Sequence, residues 1–186
     1  FTDFAILYRT NAQSRLFEAS LSALGVPYRV LSGMRYYDRK EIKDMMAYMR
    51  LVVNPSDDLS LKRIINEPKR GMGEKTLKKI EAFADIRGEN LLRALEAKEV
   101  RETLPGKAYE KVTELVECLN LCREERENLR VSDIYDNLLV KTGYLKALEE
   151  AHAVEAEARI ENLMEFKSVI YDYENGAENP TIEDFM

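Results

Sequence analysis

The spacing of hydrophobic positions changes once along this chain, at Ser32-Gly33. Before that point, Phe4-Ala5-Ile6-Leu7-Tyr8 is a continuous apolar run with the length of a short buried strand. Pro27-Tyr28-Arg29-Val30-Leu31 predicts a second strand. Between them, Thr10 and Gln13 have the spacing of a capping box, opening a helix that carries Leu16, Phe17, Leu21 and Leu24 and closes at Gly25. Strand, helix and strand in this order predict a βαβ crossover with parallel strands. Two parallel strands cannot cover both of their faces, so the rest of the sheet is expected outside this stretch.

After Ser32-Gly33 every predicted element is a helix. Asp38 with Glu41 reads as a second capping box, with Tyr37 stapled against Ile42. That helix continues through Met45, Met46, Met49 and Val52-Val53 and stops before Pro55. Asp57 and Asp58 cap a helix bearing Leu61, Ile64 and Ile65, which Pro68 helps to end. The next helix carries Leu77 and Ile80 and closes at Gly88. Asn90 to Ala97 is short, and Pro105-Gly106 breaks the chain again. Ala108 to Leu121 is amphipathic along Val112, Leu115, Val116 and Leu119. Ser132 to Val140 is closed by Gly143, Val154 to Tyr173 by Gly176, and Thr181 begins one more. The fold class expected is mainly α. A short βαβ piece of an α/β domain covers residues 1–32, and an all-α unit covers residues 33–186. The chain begins inside a strand-like run and ends inside a helix-like one. It is therefore expected to be an excised piece, with the all-α unit truncated at its C-terminal end.

Charge singles out one segment. From Lys62 to Lys79 there are seven basic residues against Glu67 and Glu74, in a chain whose net charge is −6. At its centre Arg70-Gly71-Met72-Gly73 joins two predicted helices in a helix-hairpin-helix-like element. Two glycines around one apolar residue allow a tight turn and close approach of a partner. The opening amides of the second helix have no intrahelical acceptors, and the dipole adds partial positive charge there. Such an arrangement binds phosphate without reading a base. Lys75 and Lys78, on one face of the second helix, add cations beside it. Alternatively, Gly-X-Gly simply ends one helix and the lysines are solvated. Gly71-Met72-Gly73-Glu74-Lys75-Thr76 is not a nucleotide-binding phosphate loop, because Glu74 stands where that motif needs Gly and a helix, not a strand, leads in.

Other candidate chemistry is thin. Cys118 and Cys122 share a helix face without a nearby His, and core packing is the expectation. His152, the one histidine, reads as a surface or boundary residue. Asp57-Asp58 and Asp172 to Glu174 read as caps and solvated faces, not as a metal site. Arg35, Tyr36, Tyr37, Arg39 and Lys40 interleave aromatic and basic residues, which suits base stacking or, as favoured here, apolar bulk at a joint. No apolar run has the length of a membrane span and no signal peptide is present, so a cytoplasmic protein is expected.

The run FAILYRTNAQSRLFEASLSALGVPYRVLSGMRYYDRKEIKDMMAYMRLVVNP resembles the second motor domain of the UvrD/PcrA group of bacterial DNA helicases and the start of its inserted subdomain. LKRIINEPKRGMGEKTL resembles that subdomain's Gly-Ile-Gly hairpin, with Met72 in the Ile position, and ARIENLMEF its closing long helix. The resemblance implies part of an ATP-driven 3′-to-5′ translocase and helicase acting in DNA repair or replication. It implies that Arg9 and Asn11 touch single-stranded DNA, and that Arg70, Gly71, Met72 and Gly73 contact the duplex backbone ahead of the fork. The residues themselves are also compatible with Arg9 as a strand-end solubility residue and Asn11 as a helix cap. No cofactor is expected in this piece, and ATP and Mg2+ in the parent protein. Expected partners are a single-strand/duplex junction, the rest of the motor, and repair or replication proteins, with no membrane. An alternative reading is a regulatory, protein-docking module that restrains the motor.

Overall fold

The chain, seen in a computed structural model, is described over residues 4–9, 13–30, 35–151 and 153–186. The helix α2 (Lys40–Val53) runs through the middle of the core, with nine of its 14 residues buried. A helix apolar on one stripe packs on one side only; α2 is enclosed because Ile42, Met45, Tyr48, Met49, Leu51 and Val52 face several directions. Around it pack α3 (Asp58–Ile64), α7 (Gly106–Glu124), α8 (Val131–Lys141) and α10 (Val154–Gly176). Unbranched Met45 and Met49 fit the uneven space where these helices converge. Truncating either to Ala should cost about 2–5 kcal/mol.

The remaining elements are α1 (Ser14–Ala23), α4 (Glu74–Arg87), α5 (Leu91–Glu96), α6 (Lys98–Arg101), α9 (Tyr144–Glu149) and α11 (Ile182–Phe185). Local punctuation accounts for most of the boundaries. Asp57 accepts the Ser60 amide at 3.0 Å, and Asn90 accepts the Arg93 amide at 2.8 Å. Gly88 and Gly143 stop α4 and α8 with φ of 64° and 75°. The helix α9 was not foreseen; Gly143 both follows α8 and opens α9, leaving no stretch of loop to announce it.

The expected βαβ unit is only partly realised. Its helix forms as α1, but residues 4–8 and 26–30 carry no strand. Phe4 and Leu7 are 83% and 93% exposed, so they are covered neither by residues 26–30 nor by α1. Parallel strands are stable only when helices and neighbouring strands cover them, and no described residue supplies that cover. Thr10, Leu31, Ser32, Gly33 and His152 lie outside the described residues.

The second capping box is also corrected. Residues Tyr36–Asp38 form a single 3-10 turn, and α2 starts at Lys40 with Arg39 as its cap residue. Tyr36 is buried, not Tyr37, which is 48% exposed. The Tyr36 hydroxyl donates to the Asn162 carbonyl at 2.8 Å. Glu41 accepts from Asn162 Nδ2 at 2.6 Å instead of reaching back to a cap. Arg39 spans the same site, donating to Asn162 Oδ1 at 2.7 Å and to Ser14 Oγ at 3.0 Å. With Arg15 paired to Glu165 at 2.6 Å, this buried polar cluster fastens α1 to α2 and α10. Among the described residues no helix is long and apolar enough to cross a membrane.

Candidate nucleic-acid interface

The basic segment is built on α3, α4 and the loop of residues 65–73 between them. The helix α3 packs on α2 and α5, and α4 packs chiefly on α5. The helices α3 and α4 are linked by the Lys62–Glu81 ion pair at 2.8 Å. Asn66 organises the loop, its Oδ1 accepting the Arg70 amide at 2.8 Å and the Met72 amide at 3.3 Å. Sequence reasoning missed Asn66. Its signal is an Asx side chain a few residues ahead of a Gly-X-Gly turn, where it can replace a backbone acceptor.

Arg70 departs from the expected role. It is 2% exposed, and its guanidinium faces inward. Nη1 donates to the carbonyls of Ile64 and Glu67 at 2.9 and 3.1 Å, and Nη2 to Tyr48 Oη at 2.8 Å and the Thr142 carbonyl at 2.9 Å. Burial raises the Tyr48 phenol above its ordinary range against the pull of Arg70, so the hydroxyl stays protonated and donates to the Glu67 carbonyl at 2.6 Å. The Ile64 and Thr142 carbonyls lie at the C-terminal ends of α3 and α8, where the partial charge is negative. The Arg70 cation is thus compensated by dipoles, with no hydrogen bond to a carboxylate. Both terminal nitrogens are committed inward, and at this burial the guanidinium presents no fork to a phosphate.

The side chain of Met72 is also inside, 4% exposed and part of the core. It anchors the turn from below, while Gly71 and Gly73 stand exposed on either side. Gly71 has φ of +75°, and a β-carbon there would meet Ala108 Cβ at 3.4 Å. Gly73 is different. With φ of −74° and ψ of 162° it is ordinary extended backbone, and a β-carbon there would meet nothing within 4 Å. Positive φ is therefore required at Gly71 alone. Gly73 is the cap residue of α4, its carbonyl accepting the Thr76 and Leu77 amides at 3.0 Å. No side chain caps this end, so the first amides of α4 face outward.

The seven positive charges are not equally available. Arg63 Nε lies 2.8 Å from Asp44 Oδ1, an ion pair without the alignment of a hydrogen bond. Lys62 holds Glu81, and Lys78 holds Glu74 at 2.8 Å. Lys69, Lys75 and Lys79 are exposed and make no ion pair among the described residues. Arg9 is exposed, and its amide donates to Gln13 Oε1 at 3.0 Å, just ahead of α1. Asn11 lies outside the described residues. The two cysteines are buried and unbridged, and Cys118 Sγ is 3.7 Å from the Asn137 carbonyl.

Comparison with known proteins adds an independent finding. The UvrD-like helicase C-terminal domain family matches residues 1–186. A protein of Bacillus subtilis named ATP-dependent DNA helicase PcrA is 38% identical over 185 residues, covering 100% of this chain and 25% of that protein. Proteins of the same name from Staphylococcus epidermidis and Staphylococcus aureus are 40% identical over 184 and 192 residues, each covering 99% of this chain. The chain thus spans a quarter of the length of these relatives. The match runs through both the first helix and the buried polar core that fastens it, and the chain belongs to the UvrD-like helicase C-terminal domain family.

Proposed function

We propose that this chain is the duplex-gripping part of an ATP-dependent 3′-to-5′ DNA helicase acting in repair or replication. The observation that carries the reading is the exposed, uncapped start of α4 at Gly73, flanked by Lys75 and set on a loop that Arg70, Met72 and Asn66 hold from inside. Outward amides and nearby ammonium groups suit a phosphate and are indifferent to the base. Gly71 and Gly73 keep the surface low enough for a phosphodiester to approach, and Lys75 supplies the nearest cation. Lys78 serves less directly, because it must first release Glu74. Met72 contributes position and backbone, not a side-chain contact. Arg9 and Asn11 would meet the single strand, on a part of the chain that α1 joins to the all-α unit. In the whole protein, ATP and Mg2+ would belong to other portions of the motor, whose chemistry supplies the energy for translocation.

A second reading has its own observation. The cluster joining Arg15 to Glu165 and Arg39 to Ser14 and Asn162 fixes α1 against α10. Such a clamp is what a module restraining the motor, or docking a regulatory protein, would need.

The discriminating test uses the whole protein with Lys75→Glu. Unwinding of a duplex with a single-stranded tail should fall while single-strand-stimulated ATPase persists. Unwinding equal to that of the parent would remove the duplex-gripping reading and leave the regulatory one.

A further inference from the structure

We infer that the first two turns of α7 form a second contact line for duplex backbone, through Lys107 and Lys111. The inference rests on the proposal that the Gly71–Lys75 surface faces duplex. The start of α7 lies against that surface. A β-carbon at Gly71 would stand 3.4 Å from Ala108 Cβ, and Lys111 Nζ donates to the Lys69 carbonyl at 3.1 Å. Pro105 and Thr76 line one cavity of about 440 Å3, which sets the beginning of α7 beside the first turn of α4. Lys107 precedes Ala108, and Lys111 follows it one turn later on the same face; both are exposed.

Charge and chemistry favour a phosphate backbone as the occupant. Lys107 and Lys111 make no ion pair among the described residues, unlike Lys62, Arg63 and Lys78, each of which already holds a carboxylate. With Lys69, Lys75 and Lys79 they make five unpaired cations around one turn, on a chain of net charge −6. The surface has limits. Glu114 stands one turn beyond Lys111 on the same stripe, Glu110 flanks it, and Glu99 lines the far side of the cavity. Single-strand binding surfaces stack bases on aromatic side chains. Among the described residues the exposed aromatic side chains, Phe4, Tyr8, Phe17, Tyr37 and Tyr171, belong to other segments, and Phe83, which lines the cavity, is half-buried with the Arg87 guanidinium 4.6 Å from its ring centre. It is built to meet charge, not bases.

The test compares Lys107→Gln/Lys111→Gln with Lys75→Gln in the whole protein, without nucleotide, on a short blunt duplex and a single-stranded oligonucleotide. Each lost phosphate contact removes about 0.9 from the slope of log affinity against log salt. The double variant should therefore be shallower by about two on duplex and unchanged on single strand, and Lys111→Arg should keep the parental slope. An unchanged duplex slope in the double variant overturns the inference. If Lys75→Gln still lowers the slope in that case, the hairpin reading survives without the α7 line; if neither changes it, both fall. A shallower slope for the double variant alone supports the α7 line and removes Lys75, but not the amides that open α4, from the grip.

Discussion

Arg70 Nη2 donates to the Thr142 carbonyl across 72 positions of sequence, at 2.9 Å. This bond ties the loop between α3 and α4 to the turn between α8 and α9, while Tyr48 ties the same guanidinium to α2. The position of the turn that would meet DNA is thus set by three helices that take no part in the contact.

Replacing Arg70 with Met would leave the buried Thr142 carbonyl without its donor and take one donor each from the Ile64 and Glu67 carbonyls and Tyr48 Oη, the Ile64 carbonyl keeping the Glu67 amide at 3.0 Å. Each such loss costs about 1–3 kcal/mol, so a destabilisation of about 3 kcal/mol or more is expected. It would appear as a lower urea midpoint in unfolding followed by circular dichroism. Arg70→Lys should recover only part of it, because one ammonium cannot reach the carbonyls and the phenol as the planar fork does. A lysine variant as stable as the parent, but with lost duplex affinity, would show instead that Arg70 touches the DNA.

Glu174 gives a pH dependence with a definite sign. Its carboxylate accepts the Ser132 amide at 2.8 Å, the Ser132 hydroxyl at 3.1 Å and Arg130 Nη2 at 2.6 Å, and so caps α8. Burial alone would raise its pKa, but these three donors outweigh it and hold the carboxyl below the ordinary glutamate range. A depressed pKa in the folded state means stability that is present above the unfolded value and lost as pH falls through the folded one. Glu174→Gln should therefore cost about 2 kcal/mol at neutral pH. Thermal unfolding of the two proteins should converge as pH drops below the ordinary glutamate range. A difference that stays constant into acid would assign the loss to packing, not charge.

What sequence could show was local. Gly88, Gly143, Pro55 and Asp57 act on their own neighbours, so the helix ends they mark were legible. The direction of a side chain at a loop is set from far away. A basic residue next to Gly-X-Gly reads as surface, and Tyr48 and Thr142, distant in sequence and brought together by packing, join the local Ile64 and Glu67 carbonyls in holding Arg70 inward. The same holds for Tyr36 and Tyr37, where Asn162 of α10 decides which ring is buried. The count of basic residues also overstated the patch, since Glu81, Asp44 and Glu74 occupy three of them in ion pairs. The basic segment between α3 and α4 is legible in sequence as a place; which of its residues face outward is not.

Gly73→Ser separates the stability of the turn from its proposed contact. The residue caps α4 with ordinary extended angles and open space at its β-carbon, so serine fits without strain. A serine hydroxyl can accept the Lys75 or Thr76 amide, which glycine cannot, and this should raise stability by a few tenths of a kcal/mol. The same hydroxyl would occupy the outward amides and stand where a phosphodiester must approach. Duplex affinity should therefore fall while stability holds or rises, with single-strand binding unchanged. Gly71→Ser is the contrast: its φ of +75° penalises any side chain by about 1 kcal/mol or more, and Ala108 lies in the way. That variant should lose stability and duplex affinity together. If Gly73→Ser binds duplex as the parent does, the start of α4 is a structural cap, and the duplex grip lies with the lysines around it.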